Sequence, residues 1–581
     1  MVQRRFTLPR TVPAVLFGLA LATPAAARDF YVDPVAGADS GDGGQGAPWK
    51  TLATVLSAGH VGTDVKAGDT VFLLSGYHGK ITFSGGTYSP PITVTKASGA
   101  TPTVSSVGFA ATHGWVVRGL SVSPTYAPSP SVGDLVTMGK DTSDVLFEDS
   151  ELFSVRDSSA WTADQWINEA SSGISVRGDH ETVRNNVLTN VRFGIAVDGP
   201  NALVDHNRIE NFSADGLRGL GDYDVFQYNL VKNVYVDDTA GDSNHDDGFQ
   251  SWSVGPGGVG TGVVTGVVLR GNYILNREDP NQKLTNSLQG IGCFDGYFDQ
   301  WVVENNVVIT DHWHGISFYG MKNSRIVNNT VIDVNDVTPG PPWIMVTAHK
   351  DGTPSENCLV RNNLATDYDV SGTNVTNDHN TTLKTADLVD YFLNPGTFDL
   401  HLLPTAPAID QGTTDQAPSI DADGIPRPQG AAVDLGAYEW HEDSVGPVDG
   451  GSGIGGAGSG GGSNAAGGAA STGGSTGSGG GASSSGGGNA GGAASGTGGG
   501  SSTAGASGSG NPGSGGATGA SNPDGGPPAP AASKDDSGCG CAVAGGDTSV
   551  PRGVLLAFVA ALLVRHRAGA RRRARRAVSA G

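Results

Sequence analysis

The segment Asn244-His245-Asp246-Asp247-Gly248-Phe249-Gln250-Ser251-Trp252 sets two adjacent carboxylates beside an imidazole. Groups of these types exchange protons with a bound molecule or hold a cation. Asp-Gly is also ordinary turn chemistry, so the segment alone reads equally well as a polar bend. A further carboxylate, Asp215, precedes a glycine in the same way. Asp311-His312-Trp313-His314-Gly315 then places two histidines at i and i+2, which on a strand face one side. Carboxylates at Asp215, Asp246 and Asp247 would repel strongly unless a cation sits among them or one keeps its proton. The candidate metal ligands are therefore Asp215, Asp246 and Asp247, and the candidate proton carriers His245, His312, His314, Lys350 and Arg218. Gln250, Trp252, Gln289, Trp313 and Tyr319 lie on or beside the same elements and are the candidate substrate contacts. Zinc is the weaker metal, since no Cys or compact His-Glu set completes a site.

What must position these groups is a repeat. An apolar residue followed three positions on by Asn recurs from Val183 to Asn186, Val204 to Asn207, Phe226 to Asn229, Leu269 to Asn272, Val303 to Asn306, Ile326 to Asn329 and Val360 to Asn363. The asparagines are 21, 22, 43, 34, 23 and 34 residues apart, so a coil of a little over twenty residues recurs and the longer gaps hold insertions. Each coil carries a second element, at Gly173-Ile174, Gly194-Ile195, Gly216-Leu217, Gly248-Phe249, Gly290-Ile291 and Gly315-Ile316. Two short apolar strands per coil, joined by turns, predict an all-β chain folded as a parallel β-solenoid. Coils stack at roughly 4.8 Å, so the residues after the glycines form one inward ladder. The asparagines would sit at a bend, in left-handed backbone, with amides bonded above and below. Outside, the column before the glycine runs Ser172, Phe193, Asp215, Asp247, Gln289, His314, and the column two after it Ser175, Ala196, Arg218, Gln250, Gly292, Ser317. The stretches 276–287 and 256–262 are long enough to wall a groove.

These residues resemble secreted right-handed parallel β-helix proteins of the pectate-lyase-like kind. The likeness extends to the opening Asp29-Phe30-Tyr31-Val32-Asp33-Pro34 with Pro48-Trp49-Lys50-Thr51-Leu52, and to the ending Asp434-Leu435-Gly436-Ala437-Tyr438-Glu439. It covers about residues 29 to 441 and implies a carbohydrate-active protein on a scaffold that also serves hydrolases, epimerases and adhesins. In lyases of this kind, Ca2+ held by carboxylates neutralises a uronate, and a basic residue removes the neighbouring C5 proton. Asp215, Asp246 and Asp247 with Lys350 or His314 fit that logic, so the expected partner is an acidic polysaccharide cleaved by β-elimination. Asp215, then Asp246-Asp247, then His314-Gly315 also resembles the polygalacturonase order of Asp, Asp-Asp and Gly-His-Gly. His314 is two coils beyond the Asp pair and no Arg-Ile-Lys follows, which puts hydrolysis second. A glycan-binding surface solenoid without catalysis is the third reading.

Residues 1–27 carry Arg4, Arg5 and Arg10, an apolar run and Ala25-Ala26-Ala27, the pattern of a secretory signal. The β-helix is expected over 28–446, with Leu52, Val55 and Leu56 forming a helix that caps its open end. Residues 447–536 are nearly all Gly, Ser and Ala and read as a tether. Residues 537–581 hold Cys539-Gly540-Cys541, a short apolar run and Arg571-Arg572-Arg573. This ending resembles the myxobacterial surface-sorting tag and implies export, with retention at the cell envelope through a membrane tail or release after processing. Cys293 and Cys358 read as buried and unbridged. The formal charge of −22 argues against nucleic acid as a partner, and the solenoid is expected to be a monomer.

Overall fold

The computed structural model describes residues 26–237, 242 and 244–442. Three long parallel sheets of 13, 11 and 12 strands wind around a single core, so each coil contributes three strands rather than the two read from sequence. The additional strand, such as Val187–Val191, starts directly after the Asn bend. The inward ladder is in register from Ile174 through Ile195, Leu217, Phe249, Ile291 and Ile316 to Ile344. All of these are buried.

The glycines preceding that ladder are a steric requirement. A Cβ at Gly173, Gly194 or Gly290 would collide both with the next coil's glycine carbonyl and with Leu188, Ile209 or Val308 across the core. At Gly216, Gly248 and Gly315 it would meet Val231, Ile274 and Val331 in the same way. The column thus lets the eleven-stranded sheet lie close to the twelve-stranded one.

The asparagine column is continuous. Asn186 donates its amide to Asn207 Oδ1 at 3.0 Å, and the same bond repeats through Asn229, Asn272, Asn306, Asn329 and Asn363 to Asn380, an eighth member. Each amide also reaches a backbone carbonyl of the preceding coil, as Asn306 Nδ2 does to Leu269 O at 2.9 Å. The left-handed residue is the one before the column, at Asn185, His206, Tyr228, Asn305, Asn328 and Asn362, and not the ladder asparagine as expected. The bend needs one positive-φ residue on its shoulder, exposed at Asn185 and His206 but buried at Asn305, Asn328 and Asn362, and one buried amide beneath it.

The expected cap is helix α1, Leu52–Ser57, with Thr51 and Thr54 forming a capping box and Leu52 and Val55 buried. A second apolar cluster packs Leu388, Phe392, Leu400, Leu435 and Tyr438 against Leu275, Ile309, Ile332 and Leu364 on the outer face of the twelve-stranded sheet. Cys293 and Cys358 are free and buried. Among the described residues no helix is long and apolar enough to cross a membrane; the signal, tether and sorting-tail readings lie outside the described residues.

Turns between the sheets bury carboxyls that burial keeps protonated. Asp224, fully buried and accepting from Ala202 N at 2.8 Å, is pushed up to about 8 by desolvation. Its folded value lies above the unfolded one of 3.8. The stability it contributes is therefore complete below about pH 4 and is lost as pH rises toward 8. Asp224→Asn removes that loss, so its melting temperature should exceed the wild type's more at pH 8 than at pH 5. An equal difference at both pH values in thermal scans would contradict the assignment.

Candidate active site

The outer face of the eleven-stranded sheet carries the columns expected from the alignment of coils. Backbone bonds from Gly173 N to Phe193 O, Gly194 N to Asp215 O and Gly216 N to Asp247 O fix one step after another. Strand pairing then places Gln289 beside Asp247 and Trp343 beside His314. Because the glycine between them turns inward, the residue before it and the residue two after it meet outside. Three such pairs recur: Arg218 Nε donates to Asp215 Oδ2 at 2.8 Å, Gln250 Nε2 to Asp247 Oδ2 at 2.9 Å, and His314 Nδ1 lies 3.0 Å from Ser317 Oγ.

The acidic half is buried and already holds a cation. Asp215 is 1% exposed and Asp247 0%. Arg218 forks onto Asp215 through Nε and Nη2, its guanidinium lying between the Phe193 ring at 4.6 Å and the Trp252 ring at 4.7 Å. Asn244 Nδ2 donates to the other Asp215 oxygen at 3.1 Å. Burial pushes both carboxyls up; Arg218 draws Asp215 back, whereas Asp247, beside Asp215 and Asp246, is driven furthest and keeps its proton. Asp246 is buried next to it.

Most of the Asp215 and Asp247 oxygens are already taken by protein donors, which leaves Asp247 Oδ1 as the buried oxygen open to a ligand. Asp215 turns its oxygens to Arg218 and Asn244, and one Asp247 oxygen is taken by Gln250. Among the described residues no three His, Cys, Asp or Glu side chains are grouped to hold a metal. The repulsion expected among the acids is relieved by a guanidinium and a retained proton instead.

The histidine half is partly open. His312 and His314 stack with ring centroids 5.3 Å apart, and Phe294 lies 4.7 Å and Trp343 5.5 Å from His314. His312 Nδ1 accepts from His314 N at 3.0 Å, which leaves its proton on Nε2. Trp343 Nε1 donates between Ser317 Oγ at 3.2 Å and His314 Nδ1 at 3.3 Å. With the indole proton on Ser317, His314 donates from Nδ1 to the same hydroxyl and keeps a bare Nε2. Burial lowers His312 to about 4 and His314 to about 3, with the neighbouring imidazoles, exposed His245 included, adding to the shift. Both rings are neutral at physiological pH.

The right-handed beta helix region family model matches residues 172–364. The fold is a right-handed parallel β-helix. No curated protein matches the chain in sequence. Among solved structures the chain is similar to pectate lyase Pel9A at 17% identity, over 72% of this chain and 97% of that one, with a TM-score of 0.42. It is similar to a rhamnogalacturonan lyase at 14% identity, over 67% and 97%, with a TM-score of 0.36. A third is PfbA, a surface adhesin of Streptococcus pneumoniae, at 9% identity over 55% and 80%, with a TM-score of 0.31.

On this β-helix the expected residues separate into three places. Asp215, Arg218, Asp246, Asp247, Gln250 and Trp252 gather with Asn244 in the acidic half. Gln289, His312, Trp313, His314 and Tyr319 belong to the adjoining coils, Tyr319 packing on Phe294 at 5.3 Å. Lys350 belongs to neither: it lies past the strand Trp343–Thr347, at the end away from His314, and its ammonium pairs with Asp295 at 2.9 Å. The insertion over 276–287 does pack near the site, with Arg277 on Asp311 and Lys283 Nζ on Trp161 O at 3.0 Å. Sequence reasoning missed Asn244, Phe193 and Ser317 as functional neighbours; the latter two stand in the aligned columns, and their place there was the available signal.

Proposed function

We propose that this β-helix acts on an acidic, uronate-containing glycan and cleaves it by β-elimination on the outer face of the eleven-stranded sheet. The observation that carries the proposal is the neutral imidazole pair His312 and His314, set among Phe294, Trp313 and Trp343, whose faces suit sugar rings. In the reaction His314 Nε2 takes the C5 proton. The electron pair moves toward the carboxylate as charge develops there, then forms the C4–C5 double bond as the C4–O bond breaks and the leaving oxygen takes a proton from solvent, to which His314 later returns the C5 proton. His312 Nε2–H and the Gln289 amide, one coil before His314, are the donors placed to receive the developing charge. A bound uronate beside His314 also raises the imidazole's proton affinity, so the base strengthens when substrate arrives.

Hydrolysis is the second reading, and the unequal environments of Asp215 and Asp247 favour it, since an ionised and a protonated carboxyl are its requirement. Their burial ranks it second. The proposal is tested by following unsaturated product and reducing ends together, in chelator. Because Arg218 fills the place of a metal among the acids, chelation should leave elimination undiminished; loss of turnover restored by calcium alone would sink this version of the site.

Export and envelope retention, with the tether presenting the β-helix, belong to the same proposal and rest on residues 537–581. Replacing Cys539 and Cys541 by Ser should disturb processing or release the protein. Unchanged localisation and mature mass would remove that part.

A further inference from the structure

Next to the acidic half, over the coils that precede it, the outer face opens into a cavity of about 490 Å³, within the range of small-ligand sites. Its aromatic walls are Phe193 and Trp252, the two rings that hold Arg218. Asp134, Asp198 and Asp222 line it. Desolvation raises the Asp134 and Asp198 carboxyls, Asp198 adds to the shift at Asp134, and Arg177 sits 3.5 Å from Asp198. Arg218, the cation within the lining, is already balanced by Asp215. Acids therefore outnumber bases around this space, and a second uronate entering it would meet repulsion.

The rim has a different character. Val254, on the hairpin of strands Val254–Gly255 and Gly258–Val259, is 68% exposed, and Val263, which opens the next strand, is 54% exposed, so the two form an apolar edge. Val264 and Leu220 continue this surface inward. A cavity with flat aromatic walls, hydroxyl-accepting carboxyls and an apolar lip matches an uncharged pyranose that carries a methyl-bearing substituent.

We propose that this cavity binds an N-acetylated hexosamine, so that the glycan cleaved alternates a uronate with that sugar. The inference rests on the elimination reading for the uronate half and adds the identity of its neighbour. The sugar ring packs on the cavity side of the Phe193–Arg218–Trp252 stack, its hydroxyls donate to Asp134 and Asp198, and the acetyl methyl covers Val254 and Val263.

The test measures binding without turnover, by calorimetry on the full chain carrying His314→Ala. The probes are a tetrasaccharide alternating glucuronate with N-acetylglucosamine and a tetragalacturonate. The alternating probe should bind at least tenfold more tightly. Val263→Glu, a change at an exposed position, should lower its affinity about tenfold, and Asp134→Asn with Asp198→Asn should narrow the gap by admitting the polyuronate. Equal or tighter binding of tetragalacturonate, no binding of the alternating probe, or indifference to Val263→Glu would each overturn the proposal. Elimination of a polyuronate by the wild type alongside any of these would leave the elimination reading standing and remove only the cavity's assignment.

Discussion

His314→Ala is expected to cut turnover of an acidic glycan by roughly 10²- to 10⁴-fold, while the far-ultraviolet spectrum and the melting temperature stay close to those of the wild type. The ring lies on the outer face, partly open, and its polar partners are Ser317 and Trp343 rather than the core. Lys350→Ala should stay within about twofold of wild type, because that ammonium pairs with Asp295 beyond the strand end. The pH dependence separates the two as well. With His314 at about 3 in the free protein, kcat/KM should remain level down to mildly acidic pH instead of falling through 6.5. The acid limb of kcat should lie higher, since the bound uronate raises the imidazole. Full activity in His314→Ala, or a larger loss in Lys350→Ala, would reassign the base.

Asn306→Leu is expected to destabilise the β-helix by about 3 to 5 kcal/mol. Asn306 is fully buried and serves both neighbouring coils. Its oxygen accepts from Asn272 N and Nδ2, each at 3.0 Å, and its amide donates to Leu269 O and Asn329 Oδ1, each at 2.9 Å. Leucine leaves several buried groups of adjacent coils without partners at once, and an unsatisfied buried group costs about 1 to 3 kcal/mol. Denaturant unfolding checks the figure; a loss below about 1 kcal/mol would mean that the column fills space without holding the stack.

The solenoid was legible because stacking forces each coil to repeat the same residue types at the same step. Asn186 to Asn363 and Ile174 to Ile316 form two columns for that reason. The third strand was not legible, since Val187–Val191 follows the bend with no turn residue to separate it. The left-handed position escaped notice because it takes Asn, His, Tyr or Gly, and only the buried amide beneath it is constant.

At the site, the outward columns read from the sequence are those that strand pairing sets side by side. The sequence did not reveal that Asp215 and Arg218, three residues apart, meet outside the sheet, because that depends on the intervening Gly216 turning its carbonyl to the preceding coil, where it accepts from Ile195 N. Counting carboxylates without Arg218 leaves an excess of negative charge and invites a metal. Lys350 was misjudged for a related reason: a coil offset fixes which turn a residue occupies, but not which end of the strand its side chain serves.

The central claim is elimination, and its most direct measurement is the absorbance of the new double bond. The full chain is incubated in chelator with polymers of uronate alone and of uronate alternating with N-acetylhexosamine, and reducing ends are counted in parallel. The account predicts that absorbance and reducing ends rise together, one double bond for each new end, and that both vanish with His314→Ala. New reducing ends without absorbance would contradict it in favour of hydrolysis through Asp215 and Asp247, and the absence of both would leave a solenoid that binds glycans without cutting them.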